Sequence, residues 1–199
     1  MSGRDPEASE PLTTDELQAV LAAADSLVAR IRSGRETGSP VVRDPHFLGR
    51  VVRVMAYTGC HASVLPELTS KRLRLTRRGG RDLLFLTWRR RKTRRAIRLP
   101  VSTKLLPWLP GFLDQVKPRH RSRYNQLLSL VEEETARRGR RIKLNPARFR
   151  HTCMVLLHRE FGLSLPDVAR LAGTTQQTLE TYVRRPSDVL AEELQSKGW

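Results

Sequence analysis

Arg150, Tyr182, Lys92 and His61 are the residues whose types and settings bear most directly on chemistry. Arg150 opens an Arg-His-Thr triplet at the head of an apolar-periodic helix. A guanidinium there can hold two phosphate oxygens at once, and the open amides of a helix's first turn favour an anion. Tyr182 follows after a short helix and a Gly-Thr-Thr turn. Its hydroxyl is a poor nucleophile at the ordinary tyrosine pKa and needs basic neighbours that favour the phenolate. Lys92 stands inside the run Arg89-Arg90-Arg91-Lys92-Thr93-Arg94-Arg95, and an ammonium can protonate a departing alkoxide. His61, just past Thr58-Gly59, offers a cation when protonated and one hydrogen bond when neutral. Each has a plainer reading: a surface arginine, a half-buried packing tyrosine, a solvated basic run, a helix-capping histidine.

The elements that must position these groups are legible in the pattern. Thr13-Thr14-Asp15-Glu16 is a capping box, and Leu17, Val20, Leu21, Ala24, Leu27, Val28 and Ile31 then share a helical face that ends at Gly34. Asp44-Pro45 predicts a second helix carrying Phe47, Leu48, Val51, Val52 and Met55 inward and stopping near Thr58-Gly59. The period then changes from helical to alternating. Leu73 and Leu75, then Leu83 to Trp88, then Ala96 to Pro100 predict a small three-stranded antiparallel sheet. Helices follow near Arg121 to Arg138, Ala147 to Phe161, Leu165 to Ala172, Gln176 to Val183 and Ser187 to Ser196. The fold class is therefore α+β and mainly helical. Residues 1–12, polar and without periodicity, read as a mobile tail.

Across 199 residues the formal net charge is +17, and arginine dominates the basic set. Such an excess calls for a polyanionic partner, and arginine's planar fork favours phosphate. No apolar run is long enough to span a membrane, no signal-peptide pattern opens at Met1, and no segment pairs a large apolar face with a lysine-rich one. A cytoplasmic protein without membrane contact is expected. Cys60 and Cys153 read as packing residues, too few for a disulfide framework and in no metal-ligand spacing.

Taken in order, these parts resemble the catalytic domain of the tyrosine recombinase (phage integrase) family. The resemblance rests on the Thr58-Gly59 helix break, the hairpin lysine Lys92, the Arg150-His151-Thr152 triplet and Tyr182, and covers roughly Thr13 to Ser196. It implies that Tyr182 attacks the scissile phosphate, Arg150 and His61 steady the developing charge, and Lys92 protonates the 5′ oxygen. It further implies a 3′-phosphotyrosyl intermediate with no metal, nucleotide or small-molecule cofactor. Arg148, His151, Arg89, Arg90, Arg91, Arg94 and Arg95 are the DNA contacts expected beside it. The implied partners are double-stranded DNA and further copies of the chain, as a tetrameric synapse if the chain is active. The family usually carries a separate N-terminal core-binding domain. Residues 13–199 are expected to form the catalytic domain without one, as a fragment of a longer integrase or a minimal stand-alone member.

Four positions depart from the family pattern: Val64, where it has glutamate, and three that bear directly on catalysis. His61 stands where it has arginine, Ala147 where His-x-x-Arg-His-Thr begins, and Gly173 where Leu-Gly-His ends, nine residues before the tyrosine. These substitutions put activity in doubt and leave a weakened or inactive DNA binder as an alternative. A second alternative is a helix-turn-helix regulator, because Leu165 to Val183 also resembles the reading head of lactose-repressor-type proteins. That reading leaves the helix break, the hairpin lysine and the triplet unexplained. Two placements stay open for a C-terminal helix over Ser187 to Trp199, on a neighbouring subunit or on its own.

Overall fold

The first helix, α1, runs Thr14–Arg32 and begins on the capping box that the sequence predicts. The Thr13 side chain accepts from the Glu16 amide, and Glu16 reaches back to the Thr13 amide. The computed structural model describes residues 10–34, 44–89, 94, 96–102, 104–115 and 121–183, with residues 121, 181 and 182 described in backbone only. Lys92, Arg90, Arg91, Arg95 and the expected Ser187 to Ser196 helix lie outside the described residues.

Helix α2, Pro45–Thr58, starts on Asp44 and ends at Gly59, whose φ of 55° is the left-handed turn that glycine accepts without strain. Arg53 on α2 is buried, but its charge is answered: Nη2 donates to Asp25 Oδ2 at 2.7 Å, and the Trp108 ring covers the guanidinium at 3.8 Å. Strands β1 (Leu73–Arg78), β2 (Arg81–Arg89) and β3 (Ala96–Pro100) form an antiparallel sheet in that order. Register sets the two faces of the sheet. Leu86, Trp88, Ile97 and Leu99 alternate inward and are buried, while Arg74, Phe85 and Arg98 alternate outward.

Helices α3 (Leu109–Leu113), α4 (Arg121–Arg137), α5 (Pro146–Arg159), α6 (Leu165–Ala172) and α7 (Gln176–Val183) complete the described chain. α1 packs on α2 and α4, α2 packs on α5, and α6 packs on β3. One core gathers Leu48, Val51, Leu86, Ile97, Tyr124 and Phe149; a smaller cluster of Met154, Val168, Ala169 and Leu179 holds α6 and α7 to α5. Each such side chain contributes about 1.5–3 kcal/mol on burial.

The amino-terminal boundary differs from the sequence expectation. Leu12, placed by its polar surroundings in a mobile tail, is buried, and its amide donates to Thr152 Oγ1 at 2.8 Å. A single leucine ahead of a capping box has no periodic partners, which is why composition alone assigns it to the tail. It packs as the apolar lead-in to α1.

Candidate active site

Arg150 is where the elements of the site meet. Nη1 donates to the Gly59 carbonyl at 2.7 Å and Nη2 to the Ala172 carbonyl at 2.7 Å. Gly59 caps α2 and Ala172 ends α6, so one guanidinium joins the carboxyl ends of two helices, where carbonyls carry partial negative charge. The sequence reading sets Arg150 in the first turn of its helix. The helix instead begins at Pro146, one residue ahead of Ala147, and Arg150 falls in its second turn. The helix end is occupied by its own cap: Asn145 Oδ1 accepts from the Arg148 amide at 2.8 Å, and the Asn145 carbonyl accepts from the Phe149 amide at 3.3 Å. Carbonyls of two other helices, not the amides of its own, orient Arg150.

His61 lies two residues beyond Gly59 and is exposed. It opens a turn closed by the Val64 amide on the His61 carbonyl at 2.8 Å, and a short 3-10 helix follows over Leu65–Glu67. Val64, where the family pattern has glutamate, is buried in the core.

Gly173 follows Ala172 directly and ends α6 with a φ of 65°. A β-carbon at this position would run into Cδ1 of Ile97 and stand 3.2 Å from its Cγ1. The turn favours glycine, and the tip of the Ile97 side chain would have to turn aside for any larger residue. Ile97 is the second residue of β3, and Arg89 pairs with Ala96 at the mouth of the connection that carries Lys92. The start of β3 is thus seated against the end of α6.

Tyr182 stands in the last turn of α7, three residues beyond the fully buried Leu179. α7 packs on α5 and α6, and Arg159 Nη2 donates to the Val183 carbonyl at 3.0 Å, tying the residue after Tyr182 to α5. Thr175 Oγ1 accepts from the Thr178 amide at 3.2 Å and caps the other end of the helix.

Other expected contacts divide. Arg89 and Arg94 are exposed, His151 is half-buried beside Arg150, and Ala147 is exposed. Arg148 is buried and engaged within the fold. Nε donates to the Glu10 carbonyl at 2.9 Å, Nη1 to the Lys143 carbonyl at 2.7 Å, and Nη2 to the Glu16 carboxylate at 3.3 Å. It anchors α1 to α5 and does not present its fork outward. Thr152 is buried too, donating to the Arg148 carbonyl and accepting from Leu12. Burial raises the Cys60 thiol to about 11 and the Cys153 thiol to about 12, so both stay neutral at ordinary pH. No cluster of metal-ligating side chains occurs among the described residues, and no described helix is long and apolar enough to cross a membrane.

Sequence reasoning missed Ile97, Arg159 and the Ala172 carbonyl as parts of the site. Ile97 and Arg159 look like ordinary strand and helix residues, and a backbone carbonyl leaves no trace in side-chain pattern.

No family model matches the chain, and no curated protein matches it by sequence. Solved structures do. The XerH site-specific recombinase in a post-cleavage complex with its palindromic difH substrate is 18% identical at a TM-score of 0.60, over 94% of this chain and 53% of its own. The XerA recombinase is 17% identical at 0.67, over 97% of this chain and 66% of its own. The Tn1549 transposon integrase, in complex with a circular intermediate DNA, is 15% identical at 0.56, over 97% of this chain and 67% of its own. The chain thus spans about half of XerH and about two thirds of the other two. What these likenesses share with the helix order and the three-stranded sheet is the architecture: the chain has the fold of a tyrosine recombinase catalytic domain.

Proposed function

We propose that the chain is a divergent site-specific DNA recombinase or integrase that cuts and rejoins double-stranded DNA through a 3′-phosphotyrosyl link. The observation that carries this reading is the Arg150 junction. One cationic fork holds together the turn that leads to His61, the end of α6 and the body of α5. Such a junction presents positive charge at a fixed point, which is what a pentacoordinate phosphorane requires.

The step runs as a phosphoryl transfer. The Tyr182 phenol gives up its proton to solvent water, and its oxygen bonds to phosphorus. The bond to the 5′ oxygen breaks, and Lys92 delivers a proton to that oxygen as it leaves. Arg150 and His61 neutralise charge on the non-bridging oxygens. A 5′ hydroxyl from a second strand then attacks the phosphotyrosyl bond and restores the phenol. Neither metal nor nucleotide enters the balance. Arg89, Arg90, Arg91, Arg94, Arg95 and His151 serve as DNA contacts. The assembly is a homo-oligomer on DNA, a tetramer at synapsis, in the cytoplasm with its substrate.

A weakened catalyst is the second reading, and Gly173 favours it, because glycine supplies no imidazole where the family pattern carries one. Loss of one preorganised donor typically costs about 3 kcal/mol, which leaves a slow enzyme. The helix-turn-helix regulator is disfavoured because α6 and α7 are packed into the domain through Val168, Ala169 and Leu179. A nicked suicide substrate separates the readings: a covalent adduct that Tyr182→Phe abolishes supports the recombinase, and tight binding without adduct supports the binder.

A further inference from the structure

Apart from Arg89 at the root of the basic loop, the sheet has a second side that the site does not use. Alternation turns Ile97 toward Gly173, so its neighbour Arg98 faces the opposite way. In the same register Arg74 and Arg78 of β1 and Arg81 and Arg89 of β2 share the face of Arg98. All five arginines are exposed, and that face carries no carboxylate among the described residues. The inner face differs: its one acid, Asp82, sits 4.0 Å from Arg77.

Arg98 is also held in place. Its guanidinium lies over the Phe85 ring at 4.0 Å, and Nη2 donates to Thr76 Oγ1 at 2.8 Å, so the side chain crosses the sheet from β3 to β1. A cation stacked on an aromatic ring and anchored by a hydroxyl loses less entropy on meeting a ligand than a free one. Arg74 and Arg78 stand about 13 Å apart along one strand, and Arg81 and Arg89 about 26 Å apart along the next, at roughly 3.3 Å per residue.

We propose that this outer sheet face is a sequence-blind contact surface for the phosphate backbone of duplex DNA, separate from the contacts around Arg150. Planar guanidinium groups are suited to phosphate oxygens, and a face of arginines without carboxylates is complementary in charge to a polyphosphate backbone. An anionic membrane is the lesser fit, because the aromatic ring that would insert, Phe85, lies beneath Arg98. The proposal rests on the reading that DNA is the partner, but on no cleavage step.

The test uses the full chain carrying Tyr182→Phe and a random-sequence duplex, with affinity measured as a function of salt. Each phosphate contact contributes about 0.9 to the slope of log affinity against log salt. The triple variant Arg74→Gln, Arg81→Gln, Arg98→Gln is expected to lower that slope by about 2 to 3 units. A charge-matched control, Arg138→Gln, Arg140→Gln, Arg141→Gln, removes exposed arginines from the loop that follows α4 and is expected to leave the slope nearly unchanged. Thermal melts confirm that both variants fold; if the sheet triple unfolds, Arg74→Gln and Arg81→Gln are read singly, each expected to lower the slope by about one unit. Equal losses in both triples, or none in the sheet variants, overturn the proposal while leaving DNA as partner. Failure of the parent to bind duplex at all removes both readings. Binding to phosphatidylserine vesicles in place of duplex, lost in the sheet variants, assigns the face to a membrane and also overturns it.

Discussion

Ile97 and Gly173 occupy one another's space: the isoleucine side chain lies where a β-carbon on residue 173 would stand. Because Ile97 is the second residue of β3 and Gly173 ends α6, this contact joins the start of β3 to the helix end held by Arg150. Gly173→Ala should therefore destabilise the protein, by about 1–2 kcal/mol for the left-handed backbone and about 1–3 kcal/mol for the overlap. Ile97→Val made in the same chain should recover part of the overlap cost. Chemical denaturation of the four-member cycle reads the coupling; strictly additive losses would contradict the contact.

Arg150→Lys keeps the charge but cannot span two carbonyls, since an ammonium lacks the planar fork. Losing one charge-assisted bond typically costs about 1.5–3 kcal/mol, and the half-buried setting places this change near the lower end. Any adduct formation should fall by about 100-fold or more, the usual scale for a lost charge-stabilising donor. Denaturation midpoints together with single-turnover cleavage separate the two effects.

Arg148→Gln should behave in the opposite way. Its donors are engaged with Glu10, Lys143 and Glu16 inside the fold, so stability should drop by about 2–4 kcal/mol, discounted for the half-exposed Glu16. The salt dependence of DNA binding by the folded fraction should not change. A slope reduced by a full unit would show that Arg148 reaches phosphate after all.

Acid should loosen α6 at its start. The Ser164 hydroxyl first, and Arg170 second, hold the Asp167 carboxyl below its ordinary value of 3.8. A depressed folded-state pKa means the contribution is complete above that ordinary value and is lost as pH falls through the lower one. Amide exchange in α6 should accelerate below about pH 4, and Asp167→Asn should remove that pH dependence while leaving the rest of the fold unaltered.

The fold was legible where a pattern runs long enough to declare its period. The capping box at Thr13, the Asp44-Pro45 start and the alternation from Leu83 to Trp88 each became the element they predict. The site was legible only as residue types. Arg150 could be singled out by its triplet, but its partners are carbonyls of Gly59 and Ala172, and backbone atoms carry no signature in side-chain order. Arg148 misled because a charged residue two positions before Arg150 looks exposed until the fold supplies Glu16 and two carbonyls to pair it. Gly173 read as a missing helper because spacing shows what is absent, whereas the conformation and the neighbour that favour glycine appear only in three dimensions.

The central claim is that Tyr182 forms a covalent bond with DNA at a site organised by Arg150. The direct measurement is incubation of the chain with a nicked suicide duplex bearing its target sequence, followed by denaturing electrophoresis. The account predicts a slowly accumulating adduct that survives denaturation, is digested by protease, disappears with Tyr182→Phe and falls steeply with Arg150→Lys. An adduct that persists in Tyr182→Phe, or tight binding to that substrate with no adduct at any time, would contradict it.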